Sequence, residues 1–140
     1  MAQLLSSRSN YGLMVLMELA KNCERRQLSL HSIASSQGLS LSYLEQIMPA
    51  LRRARLVEAE RGRGGGYRLA RRPESISVVE LLEVLEGPVQ ATGCQGTGCP
   101  AGNLCSTCSF WLAVQRRLHR MLREVTIADL VAKDRCYILK

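Results

Sequence analysis

The stretch from Ser29 to Leu69 most narrows the fold this chain can adopt. Ser29 opens a short helical run through Ile33, Ala34 and Gln37, and Gly38 supplies a helix stop. Ser40 restarts the chain two residues later. Leu41, Leu44, Ile47, Met48 and Leu51 then form one apolar stripe, while Ser42, Tyr43, Glu45 and Gln46 fall largely off it. Two short helices joined by a tight glycine-containing turn make a helix-turn-helix. The outer face of the second helix carries hydrogen-bonding side chains, as reading base edges requires. Pro49 lies inside that helix and removes a backbone bond to Glu45, so a bend or an early end is expected.

Two strand-like runs follow, Leu56–Arg61 and Tyr67–Leu69, on either side of Gly62-Arg63-Gly64-Gly65-Gly66. They predict a β-hairpin with a glycine-rich tip, placed where a winged helix-turn-helix carries its wing. Glycines let the tip follow a groove closely, and Arg61 and Arg63 charge it positively. The competing reading is a flexible surface turn. A nucleotide phosphate loop fits less well, because neither GxGxxG nor a GK[ST] ending is present.

The net charge is +7 over 140 residues. All of it lies in residues 1–72, since residues 73–140 carry seven charges of each sign. Eight arginines fall between Arg52 and Arg72. Guanidinium groups in that density suit phosphate contacts, which makes Arg52 and Arg53 candidates beside the wing arginines. A solvated basic face is the plainer alternative. No stretch is apolar enough to span a membrane, and Met1–Asn10 lacks the apolar core of a signal peptide. A cytoplasmic, reducing location is therefore expected, where six cysteines point to metal ligands before disulfides.

Elsewhere the pattern is helical. Tyr11–Ala20 predicts a first helix capped by Ser9 or Asn10, and Asn22–Gln27 a polar loop. Pro73–Ile76 predicts a linker. Ser77-Val-Val-Glu80 has the form of a capping box opening a helix through Leu81, Leu82 and Leu85, which Gly87-Pro88 ends. A long helix begins near Cys108. Trp111, Val114, Leu118, Met121 and Val125 follow an a/d seam, with Arg116, Arg117, Arg120 and Arg123 on the polar side. Thr126 with Asp129 starts a last short helix. Such a seam packs within the chain or, as expected here, against a second copy, so that a homodimer meets a pseudo-palindromic operator in double-stranded DNA. Residues 1–72 form the expected winged DNA-binding region, and 73–140 the cysteine loop and dimerisation helices.

Cys94, Cys99, Cys105 and Cys108 lie within one short loop at spacing C-x4-C-x5-C-x2-C, among small residues. Small residues let backbone amides turn toward cluster sulfurs. Iron–sulfur ligation, structural zinc and a thiol redox switch all remain open on spacing, although zinc sites usually pair two short knuckles and only one CxxC occurs here. Cys23 and Cys136 stand alone and are expected to be buried or free thiols.

The run Leu39–Gln46, the wing Arg61–Tyr67, the cysteine run with Trp111, and Val125–Leu130 together resemble the IscR-like iron–sulfur regulators. The likeness covers nearly the whole chain. It implies a homodimeric repressor or activator, often of iron–sulfur assembly genes, whose cluster state sets which operators are bound. It also implies that Ser40, Ser42, Tyr43, Gln46 and Arg61 contact DNA, and that Glu45 filters sites when no cluster is bound. Cys94, Cys99 and Cys105 are implied cluster ligands, of a 2Fe–2S cluster, with 4Fe–4S or zinc as alternatives. Three features depart from the family pattern. The first cysteine gap is four residues where five is commoner. Cys108 stands at a fourth-ligand position commonly held by histidine. Asn10 stands where related nitric-oxide sensors have aspartate.

The expected fold is mainly α: a winged helix-turn-helix with a β-hairpin wing, a cysteine-rich cluster loop and a long C-terminal dimerisation helix. No paired-carboxylate or Ser/His/Asp constellation is visible, and His31 and His119 stand isolated on helices, so an enzyme is not expected. An electron-transfer iron–sulfur protein would not need the arginine belt. A zinc-stabilised winged-helix repressor is the remaining rival.

Overall fold

The computed structural model describes residues 6–22, 27–90 and 105–132. Six α-helices and one antiparallel hairpin occur among them: α1 (Ser7–Lys21), α2 (Leu30–Gln37), α3 (Leu41–Arg53), β1 (Val57–Glu60), β2 (Gly66–Leu69), α4 (Val78–Glu86), α5 (Cys108–Glu124) and α6 (Ile127–Ala132). The mainly helical winged fold read from the sequence is the one observed. Ser29, Ser40 and Ser77 cap α2, α3 and α4, accepting from the backbone N–H groups of Ser32, Tyr43 and Glu80. Gly38 ends α2 at φ 65°.

Four local expectations change. The cap of α1 is Ser6, not Ser9 or Asn10. Ser6 accepts from the N–H groups of Arg8 and Ser9, so the helix starts a turn early and Ser9 is fully buried inside it. The helix α3 neither ends nor breaks at Pro49 but runs on to Arg53. Glu45 lies on the exposed side, where water can serve the carbonyl that proline leaves unpaired. Leu41, assigned to the apolar stripe, is 36% exposed at the first turn. Ile76, assigned to a linker, is fully buried.

The last point follows from pairing. The Val78 N–H donates to Val125 O at 2.9 Å, and the Ile127 N–H to Ile76 O at 2.9 Å, on either side of a Ser77–Thr126 bridge. The segment after the wing is therefore stitched to the end of α5. One core holds Val15 and Leu16 of α1, Ile33 of α2, Leu44, Ile47 and Leu51 of α3, Leu81 and Leu85 of α4, and Ile127 of α6. Thr126 and Asp129 form a reciprocal cap. The Asp129 carboxylate accepts from the Thr126 N–H at 2.9 Å, and the Thr126 hydroxyl accepts from the Asp129 N–H at 3.2 Å. The box expected at Ser77 is only half built, because Glu80 turns instead to Arg71 at 2.5 Å.

Helix α5 differs from the rest. None of its residues is fully buried, although Trp111, Val114, Leu118, Met121 and Leu122 are apolar. Phe110 and Trp111 are 60% and 41% exposed and meet edge to face at 5.0 Å. Its side-chain links to the body lie along and just past α4: His119 Nε2 lies 3.4 Å from Glu83 Oε1 in that helix, and Gln115 donates to Val89 O beyond it.

Two predictions follow from the seam between α1 and α4. A Cβ on Gly12 would lie 2.5 Å from Leu85 Cδ1 and 3.3 Å from Leu81 Cδ1. Gly12→Val should therefore destabilise the fold by about 1–3 kcal/mol through overpacking, measured by urea denaturation with an unchanged m-value. At the same seam the Ser6 and Ser9 hydroxyls donate to Glu86 Oε1, Ser9 at 2.7 Å. Chiefly the Ser6 bond, with Ser9 and Arg8 adding to it against partial burial, holds the Glu86 carboxyl below its ordinary value. A depressed carboxylate stabilises above its unfolded pKa and loses that contribution as pH falls through the folded one. The stability advantage of wild type over Glu86→Gln should thus be present at pH 7 and vanish in the acid range below the ordinary carboxylate value. Thermal melts across pH check it; a constant difference would refute it.

Candidate functional site

Because Leu44, Ile47, Met48 and Leu51 bury one side of α3, the opposite side is forced outward. Ser42, Glu45, Gln46, Pro49, Arg52 and Arg53 are all exposed there, at the i, i+3/i+4, i+7 spacing of one helical face. Ser40 sits at the mouth of this face as the cap, its hydroxyl 3.0 Å from that of Ser42. Tyr43 is only partly available. Its ring packs edge-on against Tyr11 at 5.1 Å, at the margin of the core.

The hairpin pairs Val57 with Leu69 through Glu60 with Gly66. Arg61 and Arg63 are exposed in the intervening loop and make no ion pair with another described residue. The wing does not hang free. The Leu28 N–H donates to Tyr67 O at 2.9 Å, the Tyr67 N–H to Leu28 O at 2.7 Å, and the Gln27 amide to Gly64 O at 2.8 Å. Gly66 permits this approach, since a Cβ there would lie 2.4 Å from Leu28 O. Sequence reasoning assigned Gln27 to a loop and missed this tether. The only signal for it was an amide side chain next to a leucine just ahead of a helix cap.

The arginine belt divides into two groups. Arg68 pairs with Glu58 and Glu60, Arg71 with Glu80, and Arg72 with Glu74. Arg71 belongs to the arginine-dense stretch that suits phosphate contacts, but its guanidinium pairs with Glu80 and joins the wing's exit to α4. Arg52, Arg53, Arg55, Arg61 and Arg63 have no carboxylate partner among the described residues and are exposed.

Of the four clustered cysteines, Cys94 and Cys99 lie outside the described residues, as do Cys23 and Cys136. Cys105 and Cys108 are half-exposed at the start of α5. The Cys108 N–H donates to Cys105 O at 3.3 Å, a single turn that brings both residues to one end of the helix. The Thr107 hydroxyl lies 3.5 Å from Cys105 Sγ and, with nearby backbone N–H groups, holds that thiol below its ordinary pKa. Thiolate is the form that ligates iron or zinc. The two described cysteines thus fit a thiolate-held metal or cluster, although no group of three or more metal-binding side chains occurs among the described residues. Neither histidine joins them: His31 is exposed on α2, and His119, expected to be isolated, pairs with Glu83. No helix among the described residues is long and apolar enough to cross a membrane.

Comparison with known proteins agrees with this geometry. The chain is 39% identical over 128 residues to the HTH-type transcriptional regulator IscR of Klebsiella pneumoniae, covering 91% of this chain and 78% of that one. Among solved structures it superimposes on CymR, the global cysteine regulator of B. subtilis, with a TM-score of 0.82 and 34% identity, over 94% and 98% of the two chains. It superimposes on T. potens IscR with a TM-score of 0.77 and 34% identity, over 97% and 92%. These relatives are transcription regulators rather than enzymes. The model of the Rrf2 family, described as iron-dependent transcriptional regulators, matches residues 5–133, and the chain belongs to that family.

Proposed function

We propose that this Rrf2-family regulator acts as a homodimer, reads a pseudo-palindromic operator in double-stranded DNA with α3 and its wing, and is controlled by an iron–sulfur cluster held on Cys94, Cys99, Cys105 and Cys108. The observation that carries the DNA half is the exposed, hydrogen-bonding face of α3 that runs from Ser42 through Gln46 to Arg53. The Gln46 amide can bond adenine in the major groove, and Glu45 can accept from cytosine N4 while repelling bare phosphate. Arg52, Arg53, Arg61 and Arg63 offer guanidinium forks to phosphates on either side. Tyr43, next to Ser42 in the chain and braced by Tyr11, has little freedom to lose on binding.

The cluster half rests on the likeness to proteins named IscR and on the four-cysteine loop, two of whose members share the mouth of α5. A bound cluster would be held by these thiolates and would supply charge and redox chemistry at the mouth of α5. Its nuclearity of choice is 2Fe–2S. The apolar side of α5, incompletely covered in a single chain and exposed at Phe110 and Trp111, supports pairing with a second copy.

The DNA reading is tested with a duplex selected from a randomised pool and with random duplex of equal length. Gln46→Ala should weaken the selected duplex by about 1–3 kcal/mol and leave random duplex nearly untouched; equal loss on both would count against α3 as the reading helix. The cluster reading is tested by anaerobic reconstitution with ferrous iron and sulfide, followed by iron and sulfide counting and a visible spectrum. Wild type, Cys23→Ala and Cys136→Ala should hold a coloured cluster, while Cys108→Ala should lose it or hold it labile. A stable, unchanged spectrum in Cys108→Ala would remove that ligand. A colourless wild type holding zinc would replace the cluster with a structural zinc site.

A further inference from the structure

Helix α3 ends in a turn built around Arg55. The Arg55 N–H donates to Arg52 O and the Leu56 N–H to Leu51 O, each at 3.0 Å, the paired bonds of a helix closed by a left-handed residue. Arg55 has φ 56° and is the only non-glycine residue with positive φ among the described residues. Glycine is the residue this position favours, because any Cβ is crowded there. Gly38 does the same work at the end of α2 with φ 65°. An arginine therefore occupies the α3 position against the backbone's preference.

What its side chain meets suggests why. A groove of about 1010 Å³ opens between the last turns of α3 and the outer side of the hairpin, and Arg52, Arg53, Arg55, Arg68 and Arg71 line it. Its two carboxylates, Glu58 and Glu60, are both held by Arg68, and Arg71 is held by Glu80. The cations left unneutralised are Arg52, Arg53 and Arg55. Pro49, Arg52 and Arg53 belong both to this groove and to the outward face of α3, so the groove continues that face beyond the end of the helix. Arg55 lines the same groove two residues beyond the last residue of α3.

We propose that Arg55 is a phosphate contact for the DNA backbone, set in a left-handed turn so that the chain extends its interface two positions past α3. The inference rests on the DNA-reading function proposed above. The ligand is a phosphodiester of duplex DNA. Inorganic phosphate shares the chemistry but not the length of a strand. The plainer role for Arg55 is a cation offsetting the negative end of the α3 dipole, which predicts a different pattern of effects.

The test compares wild type, Arg55→Gly and Arg55→Lys in three measurements: duplex affinity from 50 to 200 mM salt, calorimetric titration with inorganic phosphate, and thermal stability. Arg55→Gly should melt no lower than wild type, since glycine relieves the turn. It should also bind both selected and random duplex more weakly, with the slope of log K against log salt smaller by about one. The wild-type advantage should then shrink roughly threefold across that salt range, and Arg55→Lys should keep most of the slope. An Arg55→Gly protein with unchanged affinity and slope overturns the proposal while leaving the DNA reading intact. A lower melting temperature with unchanged slope assigns Arg55 to the helix dipole and also overturns it. Arg55-dependent binding of inorganic phosphate without any change on duplex assigns the groove to a small anion. A wild type that binds no duplex overturns this proposal together with the function on which it rests.

Discussion

Leu44, Ile47, Met48 and Leu51 are buried along one side of α3, and that burial dictates how the rest of the molecule is used. A helix anchored by four side chains cannot rotate without exposing apolar surface, at roughly 1.5–3 kcal/mol for each large side chain lost from the core. The polar side is therefore presented at a fixed angle, set chiefly by the buried side rather than by its own contacts. Ser40, Ser42 and Gln46 owe their positions to residues on the far side of the same helix. The wing is positioned by a second device, the two backbone bonds between Leu28 and Tyr67. Helix α2 begins two residues after Leu28, so the start of the helix-turn-helix and the tip end of the wing are held by one short segment.

The architecture was legible because it is written in local, periodic signals. The Gly38 break, the serine caps at residues 29, 40 and 77 and the glycine-rich hairpin all depend on neighbours a few positions away, and all appear where the sequence puts them. Apart from Pro49 and Leu41 in α3, the misreadings involve partners that no local pattern marks. Ile76 looks like a linker until Ile127 N–H bonds its carbonyl. Arg71 looks like a free cation until Glu80 meets it. Tyr43 looks like an outward polar residue until Tyr11 packs against its ring. Ser9 looks like a cap, but Ser6 caps α1 and Ser9 turns inward to Glu86, 77 positions away. Periodicity cannot see such pairings, because they are consequences of the packed fold rather than of any local pattern. At the cysteine site the sequence supplied the spacing, and the structure adds that Cys105 and Cys108 share one turn with Thr107.

The two ends of the molecule are built on different principles. Around α1 to α4 most apolar residues are covered. Along α5 none is fully buried and Phe110 and Trp111 are exposed, and its side-chain links to the body are polar: Gln115 to Val89, and His119 to Glu83. Polar links at a half-exposed surface hold weakly compared with a packed core. A long amphipathic helix attached this way has little to gain from the chain it belongs to and much to gain from a second apolar surface.

Glu80 completes the picture from the other side. Its carboxylate leaves its own helix cap half made and reaches Arg71 at the wing's exit. Helix α4 is nine residues long, roughly 13 Å from end to end. Arg71 is fastened near its first turn, and Glu86 is fastened to α1 at its last. It has the construction of a strut pinned at both ends, with the root of the wing at one pin and the approach to the cysteine loop at the other. Between the pins it buries Val78, Val79, Leu81, Leu82 and Leu85, so a displacement at one end would have to shift the helix against the core as one piece rather than bend it.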